Sequence, residues 1–279
     1  MTDPLVLDMS SVERLSEVSQ AVQQIDAFFG LCAAMPINSA PIIRYPAYQE
    51  TVWYSAVICG MGWYALNGPQ TDWRANALDQ LFGTFDIEDA SANCVAPLAA
   101  IAQIESEIQA AGGVASDYQR QTLLARITAL SQWLSQKSQS LSQGFANLQR
   151  LGIQAVQQIH DGLVKDLAFE EVPPLPGGSP TPYLDEHKRV GAQLINMASA
   201  LNAPSDTLIV AWTAMQKMVD DISARIRAAG AADIGGVLQQ LNVQSSLQQW
   251  PLLCSMAVRY RPGPRPPLPP PPAGFEPIA

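Results

Sequence analysis

Apolar residues recur every three or four positions along most of this chain, the spacing of one helical face. From residue 10 to 34 that face is Val12, Leu15, Val18, Val22, Ile25 and Phe29. From Tyr118 to Leu167 it is Leu123, Ile127, Leu130, Leu134, Leu141, Phe145, Leu148, Ile159 and Leu163, with Gln, Ser, Arg and Lys filling most other positions. Thr207–Ala228 repeats the pattern with Leu208, Trp212, Met215, Val219, Ile222 and Ile226, behind Ser205-Asp206 as an N-terminal cap. Shorter segments are predicted over Val95–Ala111, stopped by Gly112-Gly113, and over Leu184–Leu201, with Val190, Leu194 and Met197. A last helical pair runs from about Val237 to Tyr260, interrupted at Pro251. No stretch alternates as a half-buried strand would, so the expected fold is all-α.

Proline placement draws the domain map. None of the 22 prolines lies between Pro97 and Pro173, while nine fall between Pro262 and Pro277. Tyr118–Leu167 is thus predicted as one helix, whose ~75 Å length at ~1.5 Å per residue cannot be buried in a sphere. Gly144, Gly152 and Gly162 are places for it to soften or bend. Such a helix needs antiparallel partners, so residues 1–260 are expected to form an elongated bundle of very long helices. The connection from Val172 to Pro182 is short and sharp. Residues 261–279 read as an extended, proline-rich C-terminal tail in the polyproline II conformation. Within it Arg261, Pro264 and Pro267 fit the spacing of an SH3-type ligand, and the composition equally suits a solvated tail or a strap along the body.

One region departs from the amphipathic pattern. Across the 45 residues from Ala27 to Thr71 only Arg44 and Glu50 are charged. Inside it Val52–Leu66 carries aromatic pairs at both ends, Trp53/Tyr54 and Trp63/Tyr64. Such rings favour a boundary between apolar and wet surroundings. As a helix the segment would span ~22 Å, short of the ~30 Å hydrocarbon layer, and Asn67-Gly68-Pro69 ends it. Two readings stay open: a core helix apolar all round, or a segment that inserts conditionally. They are compatible, because a pore-former must store its inserting segment somewhere dry. Val52, Trp53, Tyr54, Val57, Ile58, Met61, Trp63, Tyr64 and Leu66 are the candidate membrane- or partner-contact residues.

Charge and composition narrow the classes further. With 25 acidic against 16 basic side chains the net charge is -9, so the field that nucleic-acid binding needs is missing. Charged residues make up only 15% of the chain, and 25 glutamines take their place on the surface. Cys32, Cys59, Cys94 and Cys254 lie far apart and are expected as buried free thiols, not zinc ligands. His160 and His187 are the two histidines. His187 sits in Asp185-Glu186-His187-Lys188-Arg189, whose side chains fan around a helix start instead of converging. Glu170-Glu171 and Asp220-Asp221 are adjacent pairs of the same kind. No GxSxG, GxGxxG, phosphate loop or HExxH motif is present, so neither catalysis nor a cofactor nor a metal is expected. Trp133, Trp212 and Trp250 fall at core-like helical positions. The N-terminus has no basic region ahead of an apolar stretch, which argues against a Sec signal. No run of about 18 purely apolar residues predicts a permanent span. A protein made soluble in the cytoplasm and released to act at a host cell membrane is the expectation.

The layout resembles a known family. A very long mid-chain helix follows a strongly apolar stretch and turns tightly into an antiparallel return. Then come Ala211-Trp-Thr-Ala-Met-Gln-Lys-Met-Val-Asp-Asp-Ile-Ser-Ala-Arg-Ile226 and Ser246-Leu-Gln-Gln-Trp-Pro-Leu-Leu-Cys-Ser-Met-Ala257. Over roughly residues 10–260 the chain resembles the α-helical pore-forming toxins of the cytolysin A / haemolysin BL type, to which bipartite xenorhabdolysin-like and insecticidal toxins are similar. The resemblance implies a water-soluble, five-helix-like bundle that binds a target membrane, rearranges and oligomerises, often with a second protein component. That family places its hydrophobic tongue between the long helices; here the corresponding loop, Val172–Tyr183, is proline-rich and the apolar segment comes earlier. This difference points to a non-inserting or partner-dependent component. The alternative from another class is a helical scaffold or adaptor that binds proteins through its long helices and proline-rich tail.

Overall fold

The computed structural model describes residues 5, 7–33, 73–166, 189, 191–193, 195–196 and 201–264. Helix accounts for 88% of them and none is in a strand, which makes the class all-α. In chain order the α-helices with defined bounds are α1 (Met9–Glu13), α2 (Leu15–Ala33), α3 (Trp73–Phe82), α4 (Ile87–Ala90), α5 (Ala96–Ala110), α6 (Asp117–Asn147), α7 (Gln154–Asp166), α8 (Asn202–Ala228), α9 (Ile234–Leu238) and α10 (Val243–Tyr260). The described positions between 189 and 196 are helical as well. Two compact units emerge. One comprises Met1–Glu17, Leu78–Phe145 and Ala203–Arg261, and the other Val18–Ala77, Ala146–Asn202 and Pro262–Ala279.

The predicted faces are the buried ones wherever side chains are described. Val12, Leu15, Val18, Val22, Ile25 and Phe29 are all buried, as are Leu123, Ile127, Leu130, Leu134, Leu141, Phe145 and Leu148. Leu208, Trp212, Met215, Val219, Ile222 and Ile226 follow suit along α8.

Local chemistry explains most boundaries. Asp8 caps α1 by accepting from the Ser10 amide at 3.2 Å, which satisfies an end donor the helix itself cannot pair. Arg14 separates α1 from α2, so the single early helix expected from the sequence is two. α5 ends at Gly112 and Gly113, whose φ angles of 80° and 88° suit a residue without a side chain. There the Gly113 amide donates to the Ile108 carbonyl at 2.8 Å, closing the helix end as expected. α6 opens on a reciprocal cap: the Gln119 amide donates to Ser116 Oγ at 3.2 Å, and the Ser116 amide to Gln119 Oε1 at 3.0 Å.

Among the described residues two wide turns interrupt the α-helical ladder. Ser91–Val95 is π-helical, with the Ala96 amide reaching back to the Ser91 carbonyl. Pro97 follows at once and has no N–H for a carbonyl one turn back, so the ladder slips by one residue ahead of it. Leu148–Ile153 is the second such turn, closed by the Gln154 amide on the Gln149 carbonyl. The helical stretch predicted from Tyr118 to Leu167 therefore consists of α6, this π segment around Gly152, and α7. Gly144 has a different role: a Cβ there would lie 2.7 Å from Leu81 Cγ, so the glycine admits a buried leucine of α3.

The two helical expectations near the C-terminus need correction. α8 starts at Asn202, not Thr207, because Pro204 falls in its first turn, where a missing N–H costs nothing. α10 runs through Pro251 without a break. Pro251 is exposed while Trp250, Leu253 and Cys254 on the opposite face are buried, so the lost hydrogen bond faces water and packing holds the rest. The break comes earlier, at Asn242, which adopts the left-handed conformation (φ 42°, ψ 49°) that asparagine tolerates.

Within the first unit α6 and α8 run in opposite directions. Arg120 meets the carbonyls of Ile226 and Arg227, Ser131 donates to Asp220 at 2.6 Å, and Trp133 packs against Trp212. Arg120 Nη2 reaches three carbonyls at the end of α8, those of Ile226, Arg227 and Ala229, at 2.9, 2.6 and 2.8 Å. A cation on these orphan acceptors also opposes the helix dipole.

Candidate functional site

The residues expected to touch a membrane or partner, Val52, Trp53, Tyr54, Val57, Ile58, Met61, Trp63, Tyr64 and Leu66, lie outside the described residues. Both flanks of their segment are described. α2 leads in and α3 leads out, and an ion pair joins them. Arg74 Nε donates to Asp26 Oδ2 at 2.6 Å, with side-chain exposures of 13% and 10%. The partners are 48 positions apart in sequence, so two described residues that flank the charge-poor stretch meet in the second unit. Arg74 Nη2 also donates to the carbonyl of Gly263, at the root of the proline-rich run. One guanidinium thus serves the base of the apolar stretch and the start of the tail. Arginine suits this task because its planar fork directs separate N–H groups to two acceptors.

The packing beside this pair is aromatic. Phe28 and Phe29 follow Asp26 on α2 and are fully buried, with ring centroids 5.9 Å apart. A Cβ on Gly191 would lie 2.8 Å from His160 Cδ2 and 3.2 Å from Phe28 Cε2, so glycine allows that backbone to approach α2 and α7 closely. His160 Nδ1 lies 3.3 Å from Asp161 Oδ1.

The first unit holds a second cluster of polar and aromatic groups. Trp133, Trp212 and Trp250 pack mutually with centroids 5.5–5.7 Å apart, and Phe85 adds an edge contact to Trp212 at 5.9 Å. The core role expected for all three tryptophans is what the structure gives them, at 4%, 0% and 1% exposure. Trp250 Nε1 donates to the Leu5 carbonyl at 3.0 Å. Trp212 Nε1 has no hydrogen-bond partner among the described residues; its neighbours are aromatic rings, which accept an N–H only weakly. Trp133 Nε1 donates to Asp89 Oδ2 at 2.8 Å, where Lys137 Nζ also arrives at 2.6 Å. Lys137 donates further to the Gly83 carbonyl at 3.2 Å and lies 5.9 Å from the Trp133 ring centroid.

The electrostatics of this cluster are those of a fixed structure. Burial pushes the Asp89 carboxyl up, but hydrogen bonds from Lys137 and Trp133, the Lys137 charge and a bond from Asn93 outweigh it and hold it below its ordinary value of 3.8. Cys94 and Cys254 are free and buried. Burial and the neighbouring Cys254 raise the Cys94 thiol, while burial and the charges of Asp86 and Asp89 push Cys254 up to about 11. Both stay protonated near neutral pH, where a thiol is a poor nucleophile. The side chains of Cys32 and Cys59 and all of His187 fall outside the described part. Among the described residues no group of three His, Cys, Asp or Glu side chains is placed to hold a metal ion.

Asp26, Arg74 and Gly263 are the residues that sequence reasoning missed. A signal was available for the first two. Asp26 is the last charge before the charge-poor stretch and Arg74 comes just after Asp72 at its far end, so opposite charges bracket the span. Comparison with known proteins adds no assignment: no protein-family model matches the chain, and no curated protein matches it.

Proposed function

We propose that this chain is a component of an α-helical pore-forming toxin, one that binds target membranes and oligomerises together with a second protein component. The elongated antiparallel bundle of long helices belongs to this proposal. The observation that carries it is the stretch from Ala27 to Thr71, where two charges in 45 residues coincide with aromatic pairs at the ends of its most apolar part. Among the described residues no helix is long and apolar enough to cross a membrane, so the reading assigns membrane contact to Val52–Leu66. The Asp26–Arg74 pair supports it: a segment whose two ends meet can leave the body as one piece while its flanking helices stay in place. Transfer of its apolar surface, at roughly 25 cal/mol per Å², is the driving force.

Dye release from liposomes and lysis of cells test this, with the purified chain alone and with the product of the adjacent gene. Release is expected in at least one mixture. Ile58→Asp should abolish it without altering helix content, since a carboxylate at mid-bilayer costs about 2.5–3.5 kcal/mol even on the lenient scale. A variant that folds and still permeabilises membranes removes Val52–Leu66 from the mechanism. No release and no membrane binding in any mixture moves the assignment to a helical scaffold, with the apolar stretch as ordinary core.

A further inference from the structure

Two buried nucleophiles stand outside the membrane proposal. Cys94 and Cys254 are both free, each at 1% exposure, and both belong to the first unit. Cys94 sits in the π turn Ser91–Val95 and Cys254 on α10.

Each thiol faces the other's element. Of the residues in the π turn Cys94 is the one that is buried, and the turn packs against α10, so Cys94 is the side chain it presents there. On α10, Cys254 shares the buried face with Trp250 and Ala257. Trp250 marks which way that face looks. Its ring lies 5.5 Å from that of Trp133, whose Nε1 donates to Asp89 on α4 at 2.8 Å. Cys254 follows Trp250 by one helical turn and keeps its direction, toward the helix that leads into the π turn. The charges of Asp86 and Asp89 reach Cys254, and Cys254 in turn reaches Cys94. Small buried side chains lie one turn from each thiol, Ala90 before Cys94 and Ala257 after Cys254, which lets the two backbones approach closely. Cα atoms of the turn and of α10 come within 8 Å, next to the roughly 4.4–6.8 Å that a disulfide needs.

We propose that Cys94 and Cys254 are a disulfide site: the bond closes when the chain folds in an oxidising medium that supplies a small-molecule disulfide, and it pins α10 to the π turn. The assignment does not rest on the membrane reading. With oxidised glutathione as co-reactant, the thiolate of one cysteine attacks a glutathione sulfur, forms a mixed disulfide and releases one glutathione thiolate. The second cysteine's thiolate then attacks the protein sulfur of that mixed disulfide. The Cys94 Sγ–Cys254 Sγ bond forms and the other glutathione thiolate leaves. Two electrons pass from the protein pair to the glutathione disulfide, and the two thiol protons end on the two glutathione thiols. Folding is the stage at which this happens, because both thiols are shut away from solvent once α10 has packed. A chain folded in a reducing medium keeps them free, so the bond records the compartment in which folding took place.

The test is refolding of the denatured, reduced full chain into a buffer of oxidised and reduced glutathione. The soluble fraction with native helix content is then mapped by peptide mass without reductant. A linked peptide pair joining Cys94 to Cys254 is expected, and none after refolding with dithiothreitol. The cross-linked chain should melt roughly 5–15 °C above the reduced one. Cys94→Ser and Cys254→Ser should each abolish both the link and the rise. The double variant Cys32→Ala, Cys59→Ala, which leaves only the proposed pair, should retain both. Natively folded chain whose two thiols stay free, or carry only glutathione, would overturn the proposal. Pairing of either thiol with Cys32 or Cys59 would overturn it as well, as would a Cys94–Cys254 link that leaves the melting temperature unchanged or lowers it.

Discussion

The carboxylate of Asp89 receives Trp133 and Lys137 on one oxygen and Asn93 on the other. Removing it leaves the buried indole N–H of Trp133 without that acceptor and Lys137 without its ion pair. Asp89→Ala is therefore expected to cost about 1–3 kcal/mol in chemical denaturation, the range for an orphaned buried donor. The pH dependence has a definite sign. The folded carboxyl titrates below its ordinary 3.8, so its contribution is complete above that value and fades as pH falls through the depressed folded value. The stability of the native chain should drop more steeply below about pH 4 than that of Asp89→Asn. Parallel curves would mean that the ion pair adds nothing. The same reasoning leaves Cys94 and Cys254 inert toward alkylating reagents until the chain unfolds, since both are buried and raised.

Helices show where sequence patterning suffices and where it fails. Periodicity located the buried faces of α2, α6 and α8 residue by residue wherever their side chains are described, because burial follows one side of each helix. It could not place the ends that depend on hydrogen-bond geometry. Pro204 and Pro251 are the same residue type with opposite apparent meanings, yet neither breaks a helix. The first sits where no donor is needed, and the second sits on an exposed face with Trp250, Leu253 and Cys254 packed behind it. The π turns at Ser91–Val95 and Leu148–Ile153 leave no mark in hydrophobic spacing, since they shift the ladder by one residue inside an otherwise helical run. The candidate site was legible as a composition anomaly and through its bracketing charges, but the Arg74–Gly263 contact joins residues 189 apart, which no local pattern encodes. α10 gives a direct check on the packing argument. Replacing Pro251 by Ala restores an N–H to the ladder and should raise stability by about 1–2 kcal/mol, the interior proline cost less the entropy that proline removes from the unfolded chain. A fall in melting temperature would show that the proline is needed where it stands.

At the level of the whole chain, a body with net charge -9 and few basic side chains places two of its arginines, Arg74 and Arg261, at the root of the proline-rich run. Arg74 is the more deeply held. Its loss removes the charge-assisted bond to Asp26, at a cost of about 1.5–3 kcal/mol. In Arg74→Ala, amide exchange in the first turn of α3 and the last turns of α2 should accelerate by roughly ten- to a hundredfold, with α6 and α8 unchanged. Uniform acceleration everywhere would make the pair a global support instead. Because the same guanidinium holds both Asp26 and the Gly263 carbonyl, the two attachments share one free-energy balance. Whatever factor the tail contact changes the Asp26 contact by, the Asp26 contact changes the tail contact by the same factor.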